Sequence, residues 1–390
     1  MAVLNHERPD RIPAGFWFHF EGNKARGEAC VKAHVDYFHA VDTDFVKIMS
    51  DGLGYPLRVT IDRAQDWYNV APLKEDDPFF TDSVARCTAI NAAIGKECYT
   101  FYNFFSPFNI VRACNVFTEN ALQGRSWDAT VMAHLREAPD ALRYALNVIA
   151  GDLAKLAVRV IREGGCLGVY QSLQGAEKGR MSEQEYAGVV KPSDMIVLEA
   201  FNAASPYNIL HMCSWAGDPN HLGYWRDYPC RVKNWGTGVE QLPLEKGVDY
   251  FGPDTVLLGG LDNRRGQPLA SGNREQVQAA VRDVLARMGD RPFLLGADCT
   301  VPSDIDMDHI RWVMEALKAE QCPRLYPRGP SKGGNAHETQ AVEALWLRLP
   351  GNLPVFYSIF DFPAHSHAGY VLLQLYQLER YEKAPLGRPG

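Results

Sequence analysis

The chain lacks any apolar run that approaches the roughly 18 residues of a membrane span, and its first residues contain no apolar signal region. It also lacks an excess of positive charge: 40 Lys and Arg stand against 47 Asp and Glu, for a net charge of −7. No basic stripe appears, which argues against a nucleic-acid-binding protein. The nine cysteines form no closely spaced framework. This pattern is typical of a reduced cytosolic chain and not of a disulfide-rich secreted one.

What is present is material for a large α/β core, with 46% hydrophobic residues in a chain of 390. Short apolar runs alternate with helical stretches from residue 14 to residue 320. Eight of these runs predict strands: Ala14–Phe20, Asp44–Ser50, Glu97–Phe105, Gly165–Leu173, Tyr207–Cys213, Cys230–Trp235, Thr255–Leu261 and Pro292–Asp298. Most are continuously apolar, as expected of parallel strands that are buried on both faces.

Between the strands, apolar residues recur at helical spacing. They predict helices over Ala25–Ala40, Asp82–Ile94, Pro139–Glu163, Ser182–Ala204 with an interruption near Pro192, Asn273–Met288 and Asp306–Ala319. Alternating strands and helices of this number predict a (β/α)8 TIM barrel over residues 1–322.

A proline- and glycine-rich linker begins at Pro323, and a C-terminal tail with some apolar content continues to residue 390. Three arrangements are open for the tail. It packs on the outside of the barrel, it lies in a homodimer interface, or it is poorly ordered. The sequence does not choose between them.

Two short stretches suggest a metal site. His211 and Cys213 are two residues apart at the end of the fifth predicted strand, where residues i and i+2 point to the same side. Cys299 follows the eighth strand, so all three would face the mouth of the barrel where catalytic groups gather. Three N and S ligands with one open position are typical of catalytic zinc. The alternative interpretation is a partly buried histidine beside a core cysteine.

Five further residues end strands and are candidates for the same mouth. His19 and Glu21 share a face after the first strand and would position substrate or approach the metal. Asp51 is a candidate catalytic hydrogen-bond acceptor, or else a cap of the glycine loop that follows it. Trp235 would wall the pocket or belong to the core, and Asp262 would contact substrate or cap a loop.

Several segments between residues 8 and 320 together resemble the uroporphyrinogen decarboxylase superfamily. They are Arg8–Pro13, Asp44–Asp51, Leu257–Asp262 and Phe293–Cys299. Within that superfamily the chain resembles the zinc-dependent methylcorrinoid:thiol methyltransferases of the coenzyme M type. The resemblance implies zinc bound by His211, Cys213 and Cys299.

The resemblance also implies a reaction, in which a methyl group moves from a methylated corrinoid to a zinc-activated thiol. The corrinoid-binding signature Asp-x-His-x-x-Gly is absent from the sequence, so the corrinoid (methylcobalamin) would arrive on a separate partner protein.

Two alternatives remain at this stage. One is decarboxylation of a porphyrinogen or related carboxylated ring, because Asp51 falls where the decarboxylase has its essential aspartate. Residues 16–26 contain only one Arg and one Lys, however, and a polycarboxylate needs cationic partners. The other is a non-catalytic barrel that binds a corrinoid or another tetrapyrrole.

Overall fold

The computed structural model describes residues 1–214 and 217–320. All eight predicted strands are present and parallel, and they confirm the TIM barrel. Their bounds are β1 Ala14–Gly15, β2 Phe45–Ile48, β3 Tyr99–Phe105, β4 Gly168–Leu173, β5 Ile209–Met212, β6 Val232–Trp235, β7 Val256–Leu261 and β8 Leu294–Ala297.

The strands form one sheet in the order β1-β8-β7-β6-β5-β4-β3-β2. Ala14 of β1 is in register with Leu295 of β8. At the remaining junction, the Asp44 amide donates to the Ala14 carbonyl at 2.8 Å and brings the start of β2 against β1. The sheet therefore curls into a nearly closed barrel, and the carboxyl ends of the strands meet at one mouth.

Helices cover the outside of the sheet and fill the longer connections. They are α1 Gly27–Val41, α2 Pro78–Ile94, α3 Pro107–Ala113, α4 Glu119–Leu122, α5 Trp127–Glu137, α6 Pro139–Arg162, α7 Glu183–Glu185, α8 Lys191–Ala204, α9 Gly247–Phe251, α10 Pro268–Ser271, α11 Arg274–Met288 and α12 Met307–Ala319. In the part of the chain that the structure describes, none of them is both long and apolar enough to pass through a membrane.

Two predicted boundaries shift for identifiable reasons. The first strand has two residues instead of seven because its backbone stops pairing with β8 after Gly15. The next carbonyl contact of this segment is at Trp17, which accepts from the amide of Val301, four residues after the end of β8. Helix α2 begins four residues before the predicted start. The Asp77 side chain caps it by accepting from the Phe79 amide, and Pro78 occupies the first turn.

The interruption predicted near Pro192 is also found. A π-helical turn over Tyr186–Val190 separates α7 from α8, and Pro192 lies in the first turn of α8. The predicted linker and tail, residues 323–390, lie outside the described residues.

A buried carboxyl at the start of α8 makes the stability of the fold depend on pH. Asp194 accepts hydrogen bonds from the hydroxyls of Tyr186 at 2.8 Å and Tyr228 at 3.0 Å. Burial raises the pKa of Asp194 to about 7, although the two hydroxyls act in the opposite direction. The native state therefore holds this proton more tightly than the unfolded chain does.

The free energy of unfolding should fall as the pH rises from about 4 to about 7, by about 1.4 kcal/mol for each unit of pKa elevation. Asp194→Asn should flatten that slope, and the exposed Asp290→Asn should leave it unchanged. Urea unfolding at a series of pH values measures both. Parallel curves for the wild type and Asp194→Asn would contradict the assignment.

Candidate metal site and its cavity

His211, Cys213 and Cys299 lie together at the mouth of the barrel. Cys299 Sγ is 3.3 Å from His211 Nε2 and 3.9 Å from Cys213 Sγ. The three donor atoms all lie within 4.8 Å of one another, and His211 and Cys213 are buried. They come together because His211 lies in β5, Cys213 is the first residue after β5, and β8 ends two residues before Cys299.

These spacings fit a tetrahedral zinc ion. Zn–S bonds of about 2.3 Å and Zn–N bonds of about 2.0 Å place two sulfurs about 3.8 Å apart and a sulfur and nitrogen about 3.5 Å apart. The ring of His211 packs on Tyr170 with centroids 5.5 Å apart, which holds Nε2 toward the sulfurs. Within residues 1–214 and 217–320 the cluster has three such donors and no fourth, which is the donor set of a catalytic zinc site.

The two sulfurs interact strongly even without an ion. Contact with the Cys213 thiol lowers the pKa of Cys299, and His211 and Lys47 lower it further. The same contact raises the pKa of Cys213, with burial acting in the same direction. The contact therefore favours ionisation of one thiol of the pair, and a bound cation would favour ionisation of both.

A cavity of about 1230 Å³ opens beside the two cysteines. Lys47 of β2, Asn103 of β3 and Ser172 of β4 line one side. The connection between β3 and α6, which contains α3, α4 and α5, supplies another wall that includes Trp127. This volume exceeds the roughly 300–1,000 Å³ of a typical small-molecule pocket.

A chain of polar contacts runs from Cys213 into this wall. The Gln174 side-chain nitrogen donates to Cys213 Sγ at 3.7 Å. The side-chain oxygen of Gln174 accepts from Asn109 and from Arg112 Nη1. Arg112 in turn pairs with Glu177 at 2.6 Å. Because donors occupy its oxygen, the Gln174 amide presents its N–H to the sulfur.

The ion pairs around Arg112 extend to two further charges. Asp128 accepts from Arg112 at 3.1 Å and pairs with Arg180, whose Nε lies 2.7 Å from Glu177. The two arginines and two carboxylates balance one another in a mostly buried cluster. This balance fixes the wall of the cavity next to Cys213.

Lys47 is the charged group that the sequence interpretation did not select. Its ammonium lies 3.8 Å from the centre of the Tyr170 ring and 5.0 Å from that of Trp17. Burial lowers the pKa of Lys47 to about 7, and the nearby sulfurs of Cys299 and Cys213 act in the opposite direction. A single lysine within the apolar strand Asp44–Ser50 was the available signal, because buried lysines are rare without a partner or a function.

Asp51 and His19 lie together at the rim. The His19 ring contacts the Asp51 carboxylate at 2.7 Å, and the other Asp51 oxygen accepts from the Phe20 amide at 2.8 Å. His19 lines the cavity, whereas Asp51 does not. Through these two contacts Asp51 holds the segment after β1 in place.

The three remaining candidates occupy different environments. Asp262 lines the cavity and is held by the Arg264 guanidinium at 2.6 Å. Glu21 is exposed and does not line the cavity. Trp235 is fully buried, packs on Phe251 and donates its indole N–H to a backbone carbonyl, so it belongs to the core.

Comparison with known proteins supports the family assignment. The family model of uroporphyrinogen decarboxylase (URO-D) matches residues 119–320, more than half of the chain. No curated protein sequence matches this chain.

A solved structure supports the fold. A methyltransferase from Methanosarcina mazei superimposes with a TM-score of 0.61 at 13% identity, covering 82% of this chain and 96% of its own. A B12-independent methionine synthase from Shewanella sp. W3-18-1 gives 0.49 at 9% identity, covering 80% of this chain and 93% of its own. The family model and the barrel agree with the resemblance read from the sequence, and the chain belongs to the uroporphyrinogen decarboxylase (URO-D) family.

Proposed function

We propose that the chain is a zinc-dependent methyltransferase that moves a methyl group from a methylated corrinoid protein to a thiol. The observation that carries this proposal is the trio of one imidazole nitrogen and two sulfurs within 4.8 Å of one another, beside a large cavity. The decarboxylase alternative assigns no role to these two adjacent thiols, of which Cys213 is buried and Cys299 partly buried.

His211 Nε2 and the sulfurs of Cys213 and Cys299 would hold the ion. When bound, Zn²⁺ supplies a fourth position at which an acceptor thiol binds and loses its proton. The two cysteine thiolates offset the charge of the ion, so the acceptor's sulfur stays electron-rich.

The group transfer is a displacement at the methyl carbon. The acceptor sulfur forms the new S–C bond as the C–Co bond of the methylated corrinoid breaks, and the bonding electron pair leaves with the cobalt. The cavity of about 1230 Å³ leaves room for the corrinoid face to approach from the mouth. The segment with α3, α4 and α5 would then form part of the docking surface for the partner protein.

The charges that line the cavity favour a thiol acceptor over a polycarboxylate. Five Lys and Arg side chains line it, and three of them are already paired with acidic residues of the chain: Arg112, Arg264 and Arg265. A ring that carries many carboxylates needs more unpaired cations when it is desolvated. The structural neighbour from Methanosarcina mazei is a methyltransferase, which agrees with methyl transfer as the reaction.

Metal content and turnover test the proposal together. Elemental analysis of the purified chain should give about one zinc per molecule, and X-ray absorption should report one nitrogen and two sulfur ligands. Methyl transfer from methylcobalamin to a simple thiol should stop when a chelator removes the zinc and should return when zinc is restored.

Two other results would point elsewhere. Metal-free protein that decarboxylates a porphyrinogen would support the decarboxylase alternative. Metal-free protein that binds a corrinoid and turns nothing over would support the non-catalytic barrel.

A further inference from the structure

Lys47 is a buried cation with an unusual set of neighbours. Its side chain belongs to β2, is 6% exposed and lines the cavity beside Cys213 and Cys299. Two aromatic rings enclose the ammonium, at 3.8 Å and 5.0 Å. Within residues 1–214 and 217–320, no carboxylate or carbonyl accepts a hydrogen bond from it.

A second buried lysine, Lys233, has the contacts expected of a purely structural residue. Lys233 of β6 is 3% exposed and lies over the Phe251 ring at 4.7 Å. Its ammonium also donates to the Arg226 carbonyl at 2.8 Å, and it does not line the cavity. Lys233 therefore has a backbone acceptor, whereas Lys47 has its aromatic enclosure and lines the same cavity as the two sulfurs.

A buried ammonium is costly unless an anion faces it. The ring faces of Trp17 and Tyr170 recover part of that cost through cation–π contact. The anionic groups that act on Lys47 most strongly are the sulfurs of Cys299 and Cys213, followed by Asp51. These sulfurs lie on the side of the cavity where the acceptor would bind.

We infer that Lys47 supplies the positive charge that balances the acceptor's thiolate in the metal site, an inference that rests on the proposed function. Zn²⁺ with two cysteine thiolates and a neutral imidazole carries no net charge. An added acceptor thiolate would bring the site to −1 beside the buried residues His211 and Cys213. The Lys47 ammonium, held in a fixed position by two rings, would stabilise that negative charge and so favour binding of the acceptor as a thiolate over the neutral thiol.

Lys47 would thus stabilise the thiolate sulfur, which every acceptor has. This differs from a role in holding a charged tail of the acceptor. A thiol without a tail separates the two roles. The probes are therefore 2-mercaptoethanol, which has no charged group, and 3-mercaptopropionate, which has a carboxylate.

The experiment uses the full chain loaded with cobalt(II) in place of zinc. Metal content is measured first, and thiol binding is then followed through the sulfur-to-cobalt absorption band. Lys47→Met and Lys47→Gln should each weaken binding of 2-mercaptoethanol about tenfold or more at pH 7. Lys47→Arg should stay within about threefold of the wild type, and Lys233→Met should be unchanged.

Other outcomes would overturn the inference. If both uncharged variants bind 2-mercaptoethanol as tightly as the wild type does, Lys47 does not balance the thiolate. If they lose affinity only for 3-mercaptopropionate, Lys47 holds a tail instead. A wild-type chain that takes up no metal would overturn the proposed function and this inference together, and the metal measurement shows this before any thiol is added.

Discussion

Serine in place of Cys213 or Cys299 should remove the bound metal and reduce methyl transfer by at least about a thousandfold, beyond the 10–100-fold typical of losing an outer contact to a ligand. The alcohol is a harder donor than the thiol and does not ionise near neutral pH, so two soft ligands remain where three are needed. Elemental analysis and single-turnover transfer from methylcobalamin measure the two effects.

A third cysteine provides the matched control. Cys114 lines the same cavity but lies outside the metal cluster, and its thiol donates to the Val111 carbonyl at 2.9 Å. Cys114→Ser should keep the zinc and most of the activity. If Cys213→Ser or Cys299→Ser retains one tightly bound zinc per chain, the assignment of these ligands is wrong.

The barrel could be predicted because its strands carry their own signal. A strand that is buried on both faces is mostly apolar. β8 shows that pattern throughout, while β3 and β4 interrupt it with the buried polar residues Asn103 and Gln171. Two helix starts were also predicted at the residues that cap them. Asn273 forms a capping box at α11, and Asp306 caps α12.

The segment between β3 and α6 was not predicted because its helices are short and share no long apolar period. Their signal lies in the residues that begin them. Ser106, Thr118 and Ser126 each accept a hydrogen bond from the amide three residues later, at the starts of α3, α4 and α5. This segment carries much of the cavity wall, so the candidate site was predicted in part only.

The order of strand ends around a barrel brought together residues that are 86 positions apart in sequence, Cys213 and Cys299. Side-chain direction and contact cannot be read in the same way. Trp235 and Gln174 both lie at strand ends, yet the first is a core residue and the second contacts the Cys213 sulfur. Which of them reaches the site depends on packing against other elements of the fold.

Removing one charge from the cluster behind Cys213 should destabilise the fold strongly. Arg112→Met leaves the Glu177 carboxylate, which is 6% exposed, with one cationic partner instead of two. Losing one member of a buried ion pair typically costs about 3–5 kcal/mol of unfolding free energy, because the remaining charge stays desolvated. Urea or thermal unfolding of the metal-free protein measures this loss without a contribution from the metal.

The double variant Arg112→Met/Glu177→Met distinguishes a charge effect from a packing effect. It removes one charge of each sign and leaves Arg180 paired with Asp128, so it should be less destabilised than Arg112→Met alone. The exposed pair Lys32 and Asp36 is the control, because Lys32→Met should cost less than about 1 kcal/mol. If the two losses in the double variant simply add, the cluster contributes through side-chain packing, and its charges do not determine the position of the cavity wall.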